Sequence, residues 1–574
     1  TGTNNLNMGT GNVTMNASRT VTVNSGTLTV GNMIGTGYSL TKNGSGTLTI
    51  SSQGSGLWTG NTTVNSGTLH EIVTVNAAGI SSSNKFINNG STMILSQNTG
   101  SQFSINGLNA TMDATGGATL TLGGSVTGSA TNIIVNSGYV TLRTLGGAQN
   151  VLNSSAGGSF NSQGGAGVGV IFDVAAGSSP VDLLVNMNVQ ANGGTITKNG
   201  TGTVSINAST TNSGNGSMTI NAGTLVVSGA AQLASGTFSS NIINNGTFSY
   251  NSTSNQAISG NITGTGAITK NNTSTLTLAG SNTYNGAITI NAGTLQVGST
   301  GLLGGGSYSG NIAINGASTS FLYSGTSSQT ISGAVSGNGA FTMNGTGTLT
   351  FSGAKSYTGG TTVNAGTLSI NAGAITGNIT VNSGARLTTA NHNMFSGVGN
   401  LTVNGGTLDL SVYQQGSGPS VANFIDATIT GGGGMLRGVP TYNFSGNNTW
   451  SNSYMDLLQA PTINVTSGTT TLASAFAIAN GNANVTKAGN GTLVLSAANT
   501  YTSTTILNAG TLAINNATAI GNGTLTIAGG TLDNTSAAAI TLTNNNTQNW
   551  NGDFTFAGTR DLNMGTGNVT MNAS

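Results

Sequence analysis

The sequence predicts an all-β solenoid, a single chain wound into roughly 20-residue coils that stack on one another. Three observations predict it. A strand–turn–strand unit recurs along most of the 574 residues. Its strands alternate apolar and hydroxyl side chains, the period-2 mark of a strand with one buried and one wet face. No stretch of ordinary helix length carries a 3.6-residue apolar period with caps.

The unit is plainest at 270–298, KNNTSTLTLAGSNTYNGAITINAGTLQVG. Thr275-Leu276-Thr277-Leu278 makes one strand and Ala287-Ile288-Thr289-Ile290 a second. Asn291-Ala292-Gly293 turns the chain, and Thr294-Leu295-Gln296-Val297 makes a third strand. The same order returns at 41–71, 197–227, 343–370 and 486–514. The spacing from the first core Leu or Val to the turn Asn takes two values. Leu48 to Asn65 and Val204 to Asn221 share the longer one, while Leu276 to Asn291, Leu349 to Asn364 and Leu493 to Asn508 share one that is shorter by two. From that Asn to the next core Leu it is always four. An N-[AS]-G corner has a fixed length because Asn tolerates and Gly freely enters the left-handed region. A surface loop absorbs two extra residues at little entropic cost. The inward stripe is expected to hold Leu48, Ile50, Leu276, Leu278, Ile290, Leu295, Leu349, Leu368, Leu493 and Leu512. The turn residues Asn65, Asn221, Asn291, Asn364 and Asn508 are expected to stack as amide ladders.

Residues 1–574 read as one continuous solenoid, on the order of 140 Å long if strands stack at about 4.8 Å. LNMGTGNVTMNAS occupies 6–18 and recurs without change at 562–574, an offset of 556 residues. The chain is therefore expected to be one period of a tandem repeat of that length, cut from a longer protein. Residues 150–190 keep apolar alternation but lose the N-[AS]-G corner and read as degenerate coils. Residues 411–461 hold three of the four prolines, Gly431–Gly434 and Trp450, and read as an irregular excursion or loop.

Composition narrows function. Lys and Arg total 11 and Asp and Glu total 10, giving a net charge of +1. That offers no electrostatic reason to bind nucleic acid or an anionic membrane. It also lacks the repulsion that keeps molecules apart, so self-association, end to end or lateral, is expected. There is no cysteine, hence no disulfide frame or thiolate metal site. No 18-residue apolar run is present to insert in a membrane, and an exported protein would carry its leader and anchor outside these residues.

Chemistry is sparse. Asp409 and Asp533 share the GGTLD slot but lie far apart in the sequence, several coils from one another, and are expected to be solvated. His70-Glu71 is a lone dyad, and His392 reads as a loop residue. Glycine stretches near Gly116 and Gly164 open no predicted helix and are not phosphate loops. Lys42, Lys198, Lys270 and Lys487 share one slot, where Met343 stands in the fifth copy; they are expected to be solvated corner residues. No catalytic residue, metal or cofactor is expected. The aromatic residues Tyr413, Tyr442 and Trp450 are the candidate ligand contacts, because aromatic faces bind sugars and irregular loops carry function.

TLTLAGSNTYNGAITINAGTLQVG (275–298) and GTLTFSGAKSYTGGTTVNAGTLSI (347–370) resemble the passenger-associated transport repeat of autotransporter, type V secreted, proteins. WNGDFTFAGTRDLNMGTGNVTM at 550–571 resembles large passengers of the same class. The resemblance implies a right-handed parallel β-helix carried across a Gram-negative outer membrane to the cell surface. The expected function is an extracellular structural or adhesive segment of a fibre, filament or surface layer. The alternative is a glycan- or receptor-binding adhesin with its site on 411–461; a β-helical carbohydrate-active enzyme ranks last.

Overall fold

Alternating side chains decide which face of each strand goes inside, and the turns decide where the next strand lies. The computed structural model describes residues 3–572 except 54–59, 74–83, 89, 98–101, 105–108, 113–118, 126–131, 136–137, 155–158, 163–167, 192, 209–215, 416–417, 457–459 and 477–482. The glycines near 116 and 164 lie outside the described residues. Every described strand pair is parallel, each strand adding to its counterpart one coil earlier, which makes the fold a parallel β-solenoid. The described residues contain no α-helix, only the 3-10 turns Ala234–Gly236 and Gly304–Gly306.

The chain divides into two compact units, residues 1–296 with 301–305, and residues 297–300 with 306–574. In the first, an inward column runs Leu28, Leu48, Leu69, Met93, Leu120, Leu152, each opposite the next. All but Leu28 are at most 1% exposed. In the second, Leu349, Leu368, Leu387, Leu408, Ile429, Trp450 and Leu472 form the equivalent column. Each buried Leu contributes about 2 kcal/mol by leaving water, and parallel ladders satisfy the backbone on both edges of every interior strand.

Coil length is less uniform than the repeat suggests. Leu349 pairs with Leu368 on the next coil, whereas Leu152 pairs with Val185, across a coil more than half as long again. The longer coils accommodate a separate four-stranded sheet made by Gln102–Ser104, Asn132–Val135, Ser159–Ser162 and Asn188–Ala191. Residues 150–190 are thus coils with an added strand rather than decayed copies.

Residues 411–461 also differ from the expected excursion. Val421–Ile425 and Thr441–Ser445 continue one sheet, and Thr428–Thr430 and Asn448–Trp450 continue another. A short third sheet is formed by Gln414–Gln415, Gly434–Leu436 and Ser453–Met455. The prolines stand between strands, where no ladder N–H is required.

Candidate functional site

The corners hold the molecule's most regular polar structure. In the sequence L-T-K, I-T-K or V-T-K, alternation places the Lys on the same face as the apolar residue two positions before it. Lys42 accordingly lies in an inward column between Val21 and Val64, Lys198 between Phe172 and Ile220, and Lys487 between Ile463 and Leu507. Lys42, Lys198, Lys270 and Lys487 are at most 1% exposed. They are buried, not solvated, which corrects the expectation from the sequence.

Each stem crosses the apolar interior and brings the ammonium to the corner, where it donates to three backbone carbonyls. Lys42 Nζ reaches Asn43 O (3.0 Å) and Gly44 O (2.7 Å) of its own turn and Ser66 O (3.0 Å) of the next coil's N-S-G turn. Lys198 makes the same set with Asn199, Gly200 and Ala222, Lys270 with Asn271, Asn272 and Ala292, and Lys487 with Ala488, Gly489 and Ala509. The lysine therefore staples two successive corners through charge-assisted hydrogen bonds to their carbonyls.

Carbonyl contacts favour the charged amine and burial opposes it. Burial prevails, lowering Lys198, Lys270 and Lys487 to about 8. Carboxylates Asp173 and Asp182 partly offset this at Lys198. An unfolded lysine holds its proton to about pH 10.4. Between pH 8 and that value the unfolded chain binds more protons, so stability rises with pH across the window. The buried tyrosines act in the opposite sense above about pH 10, because burial raises Tyr323 to about 12 and Tyr357 further. Melting temperature is expected to climb from pH 8 to 9.5, and Lys270→Met to reduce the climb while the protein stays folded. Met343 already fills that slot in one copy, fully buried. A melting temperature that falls through this window contradicts the assignment.

The turn asparagines sit outside the lysines. Asn65 Nδ2 donates to Asn43 Oδ1 (2.9 Å) and accepts at Oδ1 from Asn88 (2.7 Å). Asn221 donates to Asn199 (2.8 Å), Asn291 to Asn271 (2.8 Å) and Asn364 to Asn344 (2.7 Å). Asn508 lies over Ala488, as Leu507 lies over Lys487, and a methyl group gives it nothing to bond. The left-handed residue of each turn is the glycine: Gly67, Gly223, Gly293, Gly366 and Gly510 have φ between 66° and 69°. Leu48, Ile50, Leu276, Leu278, Ile290, Leu295, Leu349, Leu368, Leu493 and Leu512 lie in the interior at 1% exposure or less.

Two of the three aromatic residues offered as ligand contacts are core. Trp450 is 1% exposed and Tyr442 fully buried, packed edge to face at 5.8 Å. Trp450 Nε1 donates to Ser453 O and Tyr442 OH to Leu436 O. Their strands continue the coil, so alternation turns them inward. Tyr413 is half-buried and meets the exposed His392 ring at 5.3 Å. Val412 and Tyr454 are also exposed, Tyr454 standing two strands on from Gln414 through Met435. The outward ring pair is thus His392 and Tyr413, with His392 not foreseen as a ligand contact from sequence.

The acids are engaged with their neighbours. Lys85 pairs with Glu71 at 3.2 Å, both buried, and donates to Thr62. His70 Nε2 lies 2.6 Å from Ser96 Oγ, while Glu71, the next residue, faces the interior. Asp409 pairs with Arg386, and Asp533 accepts from Thr559 N and Oγ1. Both are largely buried, not solvated as expected. Among the described residues no group of three or more His, Cys, Asp or Glu could hold a metal ion.

The passenger-associated transport repeat family matches at 40–70, 196–227, 268–297, 341–370 and 485–514. Each match begins on the strand that carries the stapling Lys, or Met343, and ends on the strand after the N-[AS]-G turn. The chain is 38% identical over 94 residues to Adhesin BmaC autotransporter of Brucella suis biovar 1 (strain 1330), a stretch covering 16% of this chain and 3% of that protein. No solved structure matches. The chain thus carries five matches to the passenger-associated transport repeat set into a parallel β-solenoid, four of them with a lysine staple and one with Met343 in its place.

Proposed function

We propose that the chain is a surface-displayed, adhesive stretch of an exported passenger on a Gram-negative-type cell, acting through contact along its outward faces rather than through catalysis. The observation that carries this is the repeated coil itself. Outward positions such as Thr269, Thr289, Thr350 and Ser369 present hydroxyls in register from coil to coil, and the acids described above are already paired or capped. The adhesin name of the relative supports the same reading. Beads coated with the purified chain should attach to host cells or matrix above the level of uncoated beads; equal attachment would end the proposal.

A glycan- or receptor-binding version is favoured by one observation, the outward His392–Tyr413 ring pair. Aromatic faces of this kind stack on sugars. If they do so here, Tyr413→Ala weakens attachment by about tenfold or more, the equivalent of about 1.4 kcal/mol, with an unchanged circular dichroism spectrum. Undiminished attachment would assign adhesion to the hydroxyl faces instead.

A further inference from the structure

On the sheet that includes Val398–Asn404, Val421–Ile425, Thr441–Ser445 and Thr462–Val465, one outward column changes residue type partway along. Thr342, Thr362, Thr380 and Thr402 stand over one another, and Asn423, Asn443 and Asn464 then take the same place on the coils that follow. Threonine suits the wet face of a strand and asparagine is depleted there, so local propensity does not account for the change. The asparagines join as a ladder: Asn443 Nδ2 donates to Asn423 Oδ1 (3.0 Å) and Asn464 Nδ2 to Asn443 Oδ1 (3.0 Å).

An amide offers two N–H donors and two acceptor lone pairs. The ladder uses one of each at Asn443, which leaves that amide a donor and an acceptor to present, and the pattern repeats about every 4.8 Å. The ladder borders a groove of about 280 Å³ whose lining also includes Thr402, Ile425, Ser445 and Thr466. Phe424 and Phe444 complete the lining, and their rings stack at 5.1 Å in the interior. Ile425 is 37% exposed, and no lining residue carries a charge. Asp426, the next residue, is exposed, and its carboxylate accepts from the Asn447 N–H.

We infer that this groove binds a linear, neutral glycan lying along the coil stack. A hydroxyl both donates and accepts, which matches amides that present one of each. A pyranose ring is about as long as one coil step, and its C–H face suits Ile425. An extended peptide repeats about every 6.6 Å and falls out of step, while an anionic chain meets the carboxylate of Asp426. The inference shares its ligand class with the glycan reading of His392 and Tyr413 but none of its residues, so each can fail alone.

The test measures binding of the full chain to neutral linear oligomers of glucose, mannose and N-acetylglucosamine of increasing length, with heparin as the anionic comparison. At least one neutral series should bind, gaining affinity up to about four rings, one for each rung from Thr402 to Asn464, and keeping it at high salt. Asn443→Thr restores the residue type of the preceding coils and breaks the ladder, and should weaken binding about fivefold or more. If that variant misfolds, Ile425→Ser, which leaves the ladder whole, should weaken binding instead. Tyr413→Ala should leave oligosaccharide affinity unchanged. Binding of no neutral series, a preference for heparin, or unchanged affinity in folded Asn443→Thr would overturn the inference. So would a loss in Tyr413→Ala with none in the groove variants, which would assign the glycan to the ring pair.

Discussion

Leu276→Asp is expected to open its coil. Leu276 is fully buried and stands opposite Gln256 in the ladder, so the substitution removes a packed side chain and puts a carboxylate inside, opposite a neutral amide. Loss of the leucine alone costs about 2–5 kcal/mol, and an uncompensated buried charge adds several more. Coils are stabilised by their nearest neighbours, so the damage should be local. Hydrogen exchange should lose protection over the strands from Gln256 to Val297, and a new protease site should arise there. Leu276→Ala, lacking the charge, should lose less. Unchanged protection in Leu276→Asp would mean that the inward face has been assigned to the wrong residues.

The second large effect is expected at the corner glycine. Gly293 has φ +69°, and a Cβ there would lie 2.4 Å from Ser274 O and 2.5 Å from Asn272 O of the coil beneath. Gly293→Ala therefore meets both the left-handed penalty of about 1–2 kcal/mol and two backbone oxygens already held by the Thr294 N–H and Lys270 Nζ. Gly305 separates the two causes. Its φ is +63°, but the nearest atom to a Cβ there is a methyl of Thr283 at 3.8 Å. Gly305→Ala should cost only the conformational part, and denaturant melts of the two variants should differ by more than about 1 kcal/mol. Equal losses would show that coil-to-coil contact at the corner does not matter.

The inward leucines and the fixed corner could be read from sequence because alternation and N-[AS]-G are local signals. The lysines were misread although the same rule covered them: in L-T-K at 40–42 the outward residue is Thr41, and Leu40 and Lys42 share the inner face. Charge suggested solvent, but the long stem lets the ammonium reach the corner carbonyls from inside. Trp450 and Tyr442 were misplaced for a related reason. Prolines and glycines suggested an excursion, yet Trp450 stands opposite Ile429 and Leu472, and a residue in that column faces inward whatever its loops do. The lengthened coils were not legible, because the Leu152–Val185 pairing joins residues far apart in the chain with no corner motif to mark the register. His392 joins Tyr413 through coil stacking, which no local pattern announces.

The central claim is that repeats stack in parallel, each residue over its counterpart one coil away, and a cysteine pair tests it most directly. Thr350 lies opposite Ser369 on the outward face, and parallel neighbours at about 4.8 Å are within disulfide reach. Thr350→Cys with Ser369→Cys should oxidise readily within the monomer, and Thr350→Cys with Asn371→Cys, two positions out of register, should not. Preferential closure of the second pair, or of neither, would contradict the stacking on which every other assignment depends.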